Sequence, residues 1–400
     1  MTAPPDARAT TSVFIITGEH SGDALGAALM PSLREKLGRE VTFAGLGGAQ
    51  MEAQGLTSIF PLDDVVVMGP VAIVKAYRRL RRRALECVDA AVSAKPDILV
   101  IIDAPEFTHP IAKRVRAQRP DIPIVNYVSP SVWAWRPGRA RKMRPYVDHL
   151  LALLPFEPDA HARLGGPPCT YVGHPLSERI DSIRAIWPAP LMERLGLNPR
   201  KRRLVVLPGS RASEVARLMA PFGETVAALA EAGHDLEVVI PAVPRQRDAI
   251  TDAAKSWTVQ PHIVTGDTEK WQAFRWADVA LAASGTVTLE LAVAGTPMVV
   301  AYKVEPAAAL LRFLVNVPSI VLANLVLDDT PFPEFIQERC RADLMAAAVG
   351  ELLTGGPALE RQQAALARVP EIMKPDAVSP SARAAAVVAD VLAAGPDHQS

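Results

Sequence analysis

The sequence predicts an α/β protein of two doubly wound, Rossmann-like domains in series, followed by a helical tail. Three observations carry that expectation. Short, nearly continuous apolar runs alternate with helical patterns; the series stops at a charged, proline-bearing stretch and then restarts; and the loops rich in glycine, serine and acid all follow the carboxyl end of a strand. Uninterrupted apolar strands of about four to eight residues, separated by helices, belong to parallel sheets covered on both faces.

The first series runs through "SVFIIT" (12–17), "VTFAG" (41–45), "DILVIID" (97–103), "IPIVNYV" (122–128) and "HLLALLP" (149–155). The stretch "RAIWPAPLMERLGLNPRKRR" (184–203) interrupts it. The second series is "LVVLP" (204–208), "LEVVIP" (236–241), "HIVTG" (262–266), "DVALAAS" (278–284) and "PMVVAY" (297–302). From about Glu305 the pattern is helical throughout. This organisation places one domain over 1–183 and a second over 184–370. A helical tail, 371–400, is left to pack on the first domain or on a partner subunit.

A chain of 400 residues suits two domains of roughly 150–200 residues each. Hydrophobic residues make up 49% and charged ones 22%, with a formal net charge of zero, so an anion would be met by a local patch. Cys87, Cys169 and Cys340 lie far apart with no CxxC spacing, which suits a reducing compartment and supplies no metal site. The polar, proline-bearing N-terminus reads as neither signal peptide nor anchor. The longest apolar stretch is broken by Glu290 and Pro297 and reads as strand, helix, strand, so no membrane span is expected.

Eight loops carry the chemistry: "GEHSGD", "GLGG", "DAPEF", "SPSVWAW", "PFE", "VGHP", "PGSR" and "SGT". In open parallel sheets, ligands bind at the edge these loops occupy. Two such edges can face each other across a cleft, with "GEHSGD" as one wall of a shared site. In "LAASGTVTLELAVAG" (281–295), Gly285 lets the backbone approach a ligand and Ser284 can cap the following helix. That helix start is an anion site, with Thr286 in its first turn and Glu290 placed for sugar hydroxyls. An ordinary capped helix with an early acid fits equally well. In "VVLPGSRASEV" (205–215), Arg211 follows Gly209 and Ser210 and can grip a diphosphate, or simply pair with Glu214. The second domain thus reads as the nucleotide holder. There is no GxGxxG, no GxxxxGK[ST] and no Asp-x-Asp, so arginine and helix dipole, rather than a metal or cofactor, would meet a leaving diphosphate.

Asp103 closes a buried strand, where partial burial can make it a general base or where it caps the next segment. Glu19 and Asp23 are further base or hydroxyl-binding candidates, and His20 is as readily structural. In "YVSPSVWAWRPGRARKMR" (127–144), Trp133 and Trp135 adjoin Arg136, Arg139, Arg141, Lys142 and Arg144. The tryptophans can stack on a ligand or plug the core. In "VVVMGPVAIVKAYRRLRRR" (65–83), the apolar residues Val66, Val67, Met68, Ile73 and Val74 run into Lys75, Arg78, Arg79, Arg81, Arg82 and Arg83. That combination suits an anionic membrane surface, a solvated helix face or a subunit interface. No nucleic-acid module accompanies it.

In order along the chain, "TGEHSGD", "GLGGAQM", "VMG", "IDAPEF", "YVSPSVWAWR", "LPFE", "VGHPL", "LPGSR", "ASGTVTLE" and "VLANLVL" resemble the lipid-A-disaccharide synthase family of bacterial glycosyltransferases. The resemblance implies the GT-B fold and inverting transfer of 2,3-diacylglucosamine from UDP to the 6-hydroxyl of 2,3-diacylglucosamine 1-phosphate. It implies Asp103 as the base or an essential site carboxylate, with Glu19 and Asp23 the further catalytic candidates read from the first loop. Ser21, Gly22, Gly209, Ser210, Arg211, Ser284, Gly285, Thr286, Glu290 and Asn324 would bind the substrates and UDP. The segment 65–83 would dock on the cytoplasmic face of the inner membrane, through Val66, Val67, Met68, Ile73, Val74, Arg78, Arg79 and Arg82, and receive acyl chains. A homodimer exchanging C-terminal segments is a further implication. The sequence departs from the family pattern at His20 and in "IDAPEFTH", which bears on acceptor contacts near Glu106 and Thr108. Other readings are another GT-B UDP-sugar enzyme, either a polyprenyl-linked sugar transferase or an epimerase, and a non-catalytic lipid-binding protein.

Overall fold

A computed structural model describes residues 10–67, 70–304, 317–374 and 376–395, with side chains in the helix opening at Pro70 described from Ala76 onward. The chain divides into two compact units. One comprises Met1–Pro175 with Asp376–Ser400, the other Leu176–Pro375.

The first unit is built on β1 (Thr10–Thr17), β2 (Glu40–Leu46), β3 (Thr57–Ser58), β4 (Ile98–Ile102), β5 (Ile124–Tyr127), β6 (His149–Ala152) and β7 (Cys169–Tyr171). Its sheet order is β3-β2-β1-β4-β5-β6-β7, with parallel pairing throughout. The helices are α1 (His20–Leu37), α2 (Ala49–Ala53), α3 (Pro70–Ala94), α4 (Pro105–Gln118), α5 (Gly138–Met143) and α6 (Glu157–Arg163). Alternate strand residues feed opposite faces, as the twofold period of a strand demands. Val13, Ile15, Ile98, Val100 and Ile102 enter one core with α1; Phe14, Ile16, Leu99 and Ile101 enter the other with α3 and α4. A helix over Pro380–Ala394, capped by the Ser379 hydroxyl, packs on α1 and adds Ala384, Ala385 and Val388 to the first of these cores. The strand order reverses between β1 and β4, so the loops after these two strands flank the point where such sheets take ligands.

In the second unit, α7 (Ile180–Arg184) and α8 (Ala189–Leu195) precede β8 (Arg202–Leu207), β9 (Leu236–Ala242), β10 (His262–Thr265), β11 (Val279–Ala283), β12 (Met298–Tyr302) and β13 (Glu334–Ile336). The order is β10-β9-β8-β11-β12-β13, again parallel, with the reversal between β8 and β11. The covering helices include α9 (Ala212–Glu231), α10 (Arg247–Ala254), α11 (Asp267–Trp276) and α12 (Thr286–Ala294), with later helices at Leu322–Leu327, Ala342–Thr354 and Pro357–Met373. The expectation of an all-helical chain after Glu305 needs correction. β13 interrupts it, pairing Phe335 with Ala301. A three-residue strand following Pro333 has too little length for a period of two to show. The buried Gln362 side chain accepts from the Met298 amide (2.8 Å) and donates to its carbonyl (3.0 Å), tying the Pro357–Met373 helix to the start of β12.

Candidate active site

At the end of β1 the chain turns through Gly18 and Glu19 into α1. The Thr17 hydroxyl donates to the Glu19 carbonyl (3.2 Å). A Cβ on Gly22 would stand 2.0 Å from that same hydroxyl oxygen, so only glycine lets α1 start this close to β1. Asp103 lies opposite, one residue beyond β4. The strand expected to run through Asp103 stops at Ile102, because Asp103 (φ +52°) and Ala104 (φ +44°) both adopt the left-handed conformation. Side chains at such angles cost on the order of 1 kcal/mol each or more, and strain of this kind gathers at functional sites.

Four hydrogen bonds hold the turn. The Asp103 amide donates to the Tyr127 carbonyl (3.0 Å), and the Thr108 hydroxyl donates to the Asp103 carbonyl (2.8 Å). One carboxylate oxygen accepts from the Ala104 amide (2.8 Å) and the other from the Ser21 hydroxyl (3.2 Å). The structure therefore brings Ser21 and Asp103 together, with Asp103 half-buried and Ser21 exposed. Asp23 is placed elsewhere. It is 3% exposed, and its carboxylate accepts from the amides of Gly48 (2.8 Å), Gln50 (3.1 Å) and Met51 (3.1 Å), capping α2. His20 is exposed and lies 3.3 Å from Asp63.

A cavity of about 830 Å³ opens beside this turn, lined by Glu19, Ser21, Ala104 and Phe107 on one side and by Val66, Val67 and α3 from Tyr77 to Leu85 on the other. Met68 and the side chains of Ile73 and Val74 lie outside the described residues. Arg78, Arg79 and Arg82 are exposed. Arg83 turns inward to Asp64 and Glu86, with its guanidinium over the Phe60 ring.

The two tryptophans divide. Trp133 packs edge-on against Phe156 and donates to Glu157 (3.1 Å), as a core plug would. Trp135 is 47% exposed beneath Arg136, whose neighbour Arg139 binds Glu106. Sequence reasoning passed over Glu157, although its acid follows a strand end at the start of α6. It is buried and also accepts from the Leu153 (3.0 Å) and Leu154 (2.9 Å) amides. Burial, only partly offset by these bonds, pushes its carboxyl up to about 7. Nearby, the Ser129 hydroxyl meets the buried His161 ring at 2.8 Å.

In the second unit the loop after β8 is organised by Glu214, another residue the motif reading underused. Its signal was present: an acid three residues beyond the N-cap is a capping-box position. Glu214 is 6% exposed and accepts from the amides of Ser210 (3.0 Å) and Arg211 (3.1 Å) and from the Arg211 guanidinium (2.8 Å). A Cβ on Gly209, at φ +109°, would press to 2.6 Å of Glu214. Arg211 is thus paired with Glu214 while its side chain stays 71% exposed.

After β11, Ser284 does not cap α12. Its hydroxyl donates to the Ile320 carbonyl (2.7 Å), and the N-cap is Gly285, which has no side chain to offer. Standing one residue before the N-cap, Ser284 commits its hydroxyl to Ile320 and not to the helix amides. Thr286 opens the helix, exposed. Glu290 holds Lys270 at 3.0 Å. Asn324, 2% exposed, donates to Ser319 (3.1 Å) and the Phe332 carbonyl (2.9 Å) and accepts from the Phe332 amide (3.2 Å). Its amide closes the loop leading to β13. Among the described residues, no group of three His, Cys, Asp or Glu is placed to hold a metal ion, and no helix is long and apolar enough to cross a membrane.

Comparison with known proteins agrees with the sequence motifs. The family model described as lipid-A-disaccharide synthetase matches residues 13–388. The lipid-A-disaccharide synthase of Rhodopseudomonas palustris strain HaA2 is 50% identical, covering 96% of this chain and 98% of that protein. The enzyme of that name from Nitrobacter hamburgensis is 48% identical, covering 98% of each. Among solved structures, UDP-GlcNAc 2-epimerase from Neisseria meningitidis bound to UDP-GlcNAc aligns with a TM-score of 0.61 at 12% identity, over 96% of this chain and 100% of that one. Acinetobacter baumannii MurG aligns at 0.51 and 12%, over 96% and 99%. At those identities the likeness is one of fold, and the fold is GT-B. The chain belongs to the lipid-A-disaccharide synthase family and is a glycosyltransferase.

Proposed function

We propose that this chain transfers 2,3-diacylglucosamine from UDP to the 6-hydroxyl of 2,3-diacylglucosamine 1-phosphate, with inversion at the anomeric carbon. The acceptor oxygen attacks that carbon, the bond to UDP breaks, and the hydroxyl proton passes to Asp103. Ser21 orients the carboxylate. The carrying observation is the Asp103 turn, where a half-buried carboxylate held by Ser21 stands beside an apolar cavity. An acylated sugar needs both features within reach.

In this reading 1–183 takes the acceptor and 184–370 takes UDP. Charge on the departing diphosphate falls on Arg211 and on the amino end of α12, where backbone N–H groups and the helix dipole favour anions. Asp23, Glu214 and Asn324 act by holding loops; Glu19 and Thr286 meet the substrates directly. The segment 65–83 docks on the anionic cytoplasmic surface of the inner membrane, from which both lipid substrates come.

The test is UDP release from UDP-2,3-diacylglucosamine in detergent micelles containing EDTA, with and without 2,3-diacylglucosamine 1-phosphate. Release that requires the acceptor supports the reading. Release indifferent to it replaces transfer with hydrolysis or epimerase-like elimination, and no release from a protein that still binds UDP points to another acceptor.

A further inference from the structure

The sequence presents the arginines of α3 as one cluster, but the structure separates them. Arg83 is locked against Asp64, Glu86 and Phe60. Arg78, Arg79, Arg81 and Arg82 are all exposed, but Arg78, Arg79 and Arg82 take no part in lining the cavity. Arg81 alone of these lines it, alongside Tyr77, Leu80, Ala84 and Leu85. Spacings of three and four residues put these five on one helix face.

The opposite wall contains Ser21 and Ala104, the two residues that hydrogen-bond the Asp103 carboxylate. Of the other charged groups there, Glu19 is exposed on the Ser21 wall, and the rest are engaged or lie further off. Glu106 is held by Arg139, and His20 lies against Asp63. Arg114 donates to the Pro110 carbonyl (3.1 Å) and sits about 13 Å along α4 from Pro105. Among the described residues no carboxylate pairs with Arg81.

A mostly apolar chamber beside the Asp103 turn, with a guanidinium on its wall that pairs with no described carboxylate, fits an acylated sugar bearing one anionic group. Guanidinium matches phosphate oxygens two at a time, and the match strengthens where apolar walls exclude water. We infer that Arg81 binds the 1-phosphate of the lipid acceptor and so selects the phosphorylated sugar over its unphosphorylated form. The inference rests on the transfer proposed above. It also gives Arg81 a task separate from membrane docking.

The experiment compares kcat/KM of the unsubstituted protein, Arg81→Ala and Arg81→Lys on 2,3-diacylglucosamine 1-phosphate and on 2,3-diacylglucosamine. Neutral detergent micelles remove any contribution from anionic lipid. Arg81→Ala should lose roughly ten- to a hundredfold on the phosphorylated acceptor, chiefly through KM, with little change on the other. Arg81→Lys should recover part of the loss. Equal losses on both acceptors, or an unchanged preference for phosphate, would overturn the assignment. Failure of the unsubstituted protein to use either acceptor would instead strike the proposed transfer, and this inference with it.

Discussion

The loops at the carboxyl ends of β1 and β4 and those at the ends of β8 and β11 occupy equivalent places in their sheets, yet they commit their polar groups differently. In the second unit the acids and Asn324 are committed to the protein's own groups. Glu214 gathers the Ser210 and Arg211 amides, Asn324 closes its own loop, and Glu290 neutralises Lys270. The first unit contains acids of the same kind, Asp23 gathering three amides and Glu157 two. Asp103 departs from the pattern. Its backbone is strained, and its carboxylate meets one adjacent amide and an exposed serine hydroxyl. An acid saturated by backbone amides holds a loop still, whereas one with lighter bonding keeps lone pairs for a ligand. Under the proposed transfer, the second unit would present fixed amides and one cation to the diphosphate, and the first would supply the base.

The largest expected effect tests that difference directly. Asp103→Asn keeps the shape and removes the base, so kcat should fall by about 10²–10⁴ while UDP affinity stays nearly unchanged. Near-normal turnover would erase the contrast. A smaller effect follows in the other unit. Arg211→Ala should weaken UDP binding by roughly 1.5–3 kcal/mol, read by calorimetry. Glu214→Ala should weaken it too, by freeing the loop, and should lower the melting temperature as well. Because the two side chains act as one device, the double variant should lose less than the sum. Full additivity would separate them.

The smallest effect concerns stability rather than rate. With its carboxyl pushed up to about 7, folded Glu157 retains a proton that the unfolded chain has already lost. Stability should therefore fall as pH rises from the ordinary carboxylate range toward about 7. Burial lowers His109 and His161 to about 4, so the unfolded chain takes up protons first and stability falls as pH drops below the imidazole range. In melting curves between about pH 5 and 8, Glu157→Gln should remove the first slope and leave the second. A neutral-side decline that persists in this variant would assign it to another group.

Both parallel sheets and the ligand-side loops are legible in the residues, because a strand buried on both faces announces itself as an apolar run and the turn after it needs glycine. The reach of that signal is short. It placed Asp23 and Asp103 together as candidate bases, and nothing within a few residues of either distinguishes them. Asp23 meets Gly48, Gln50 and Met51, which are more than twenty positions away. The same distance hid the Ser284–Ile320 bond, which overturned the cap reading, and the pairing of β13 with β12.

What the sequence by itself determined is the alternation of the longer strands with helices, the two-sheet architecture and the family, since these depend on periodicity and on motifs that read locally. Only the tertiary structure decided which acid braces a loop and which stands at the cavity's edge, which arginine of α3 lines the cavity, and that the helix over Pro380–Ala394 joins the core of the first unit. The physical reason is that a side chain's task is set by what surrounds it, and those surroundings come from segments far away in the chain.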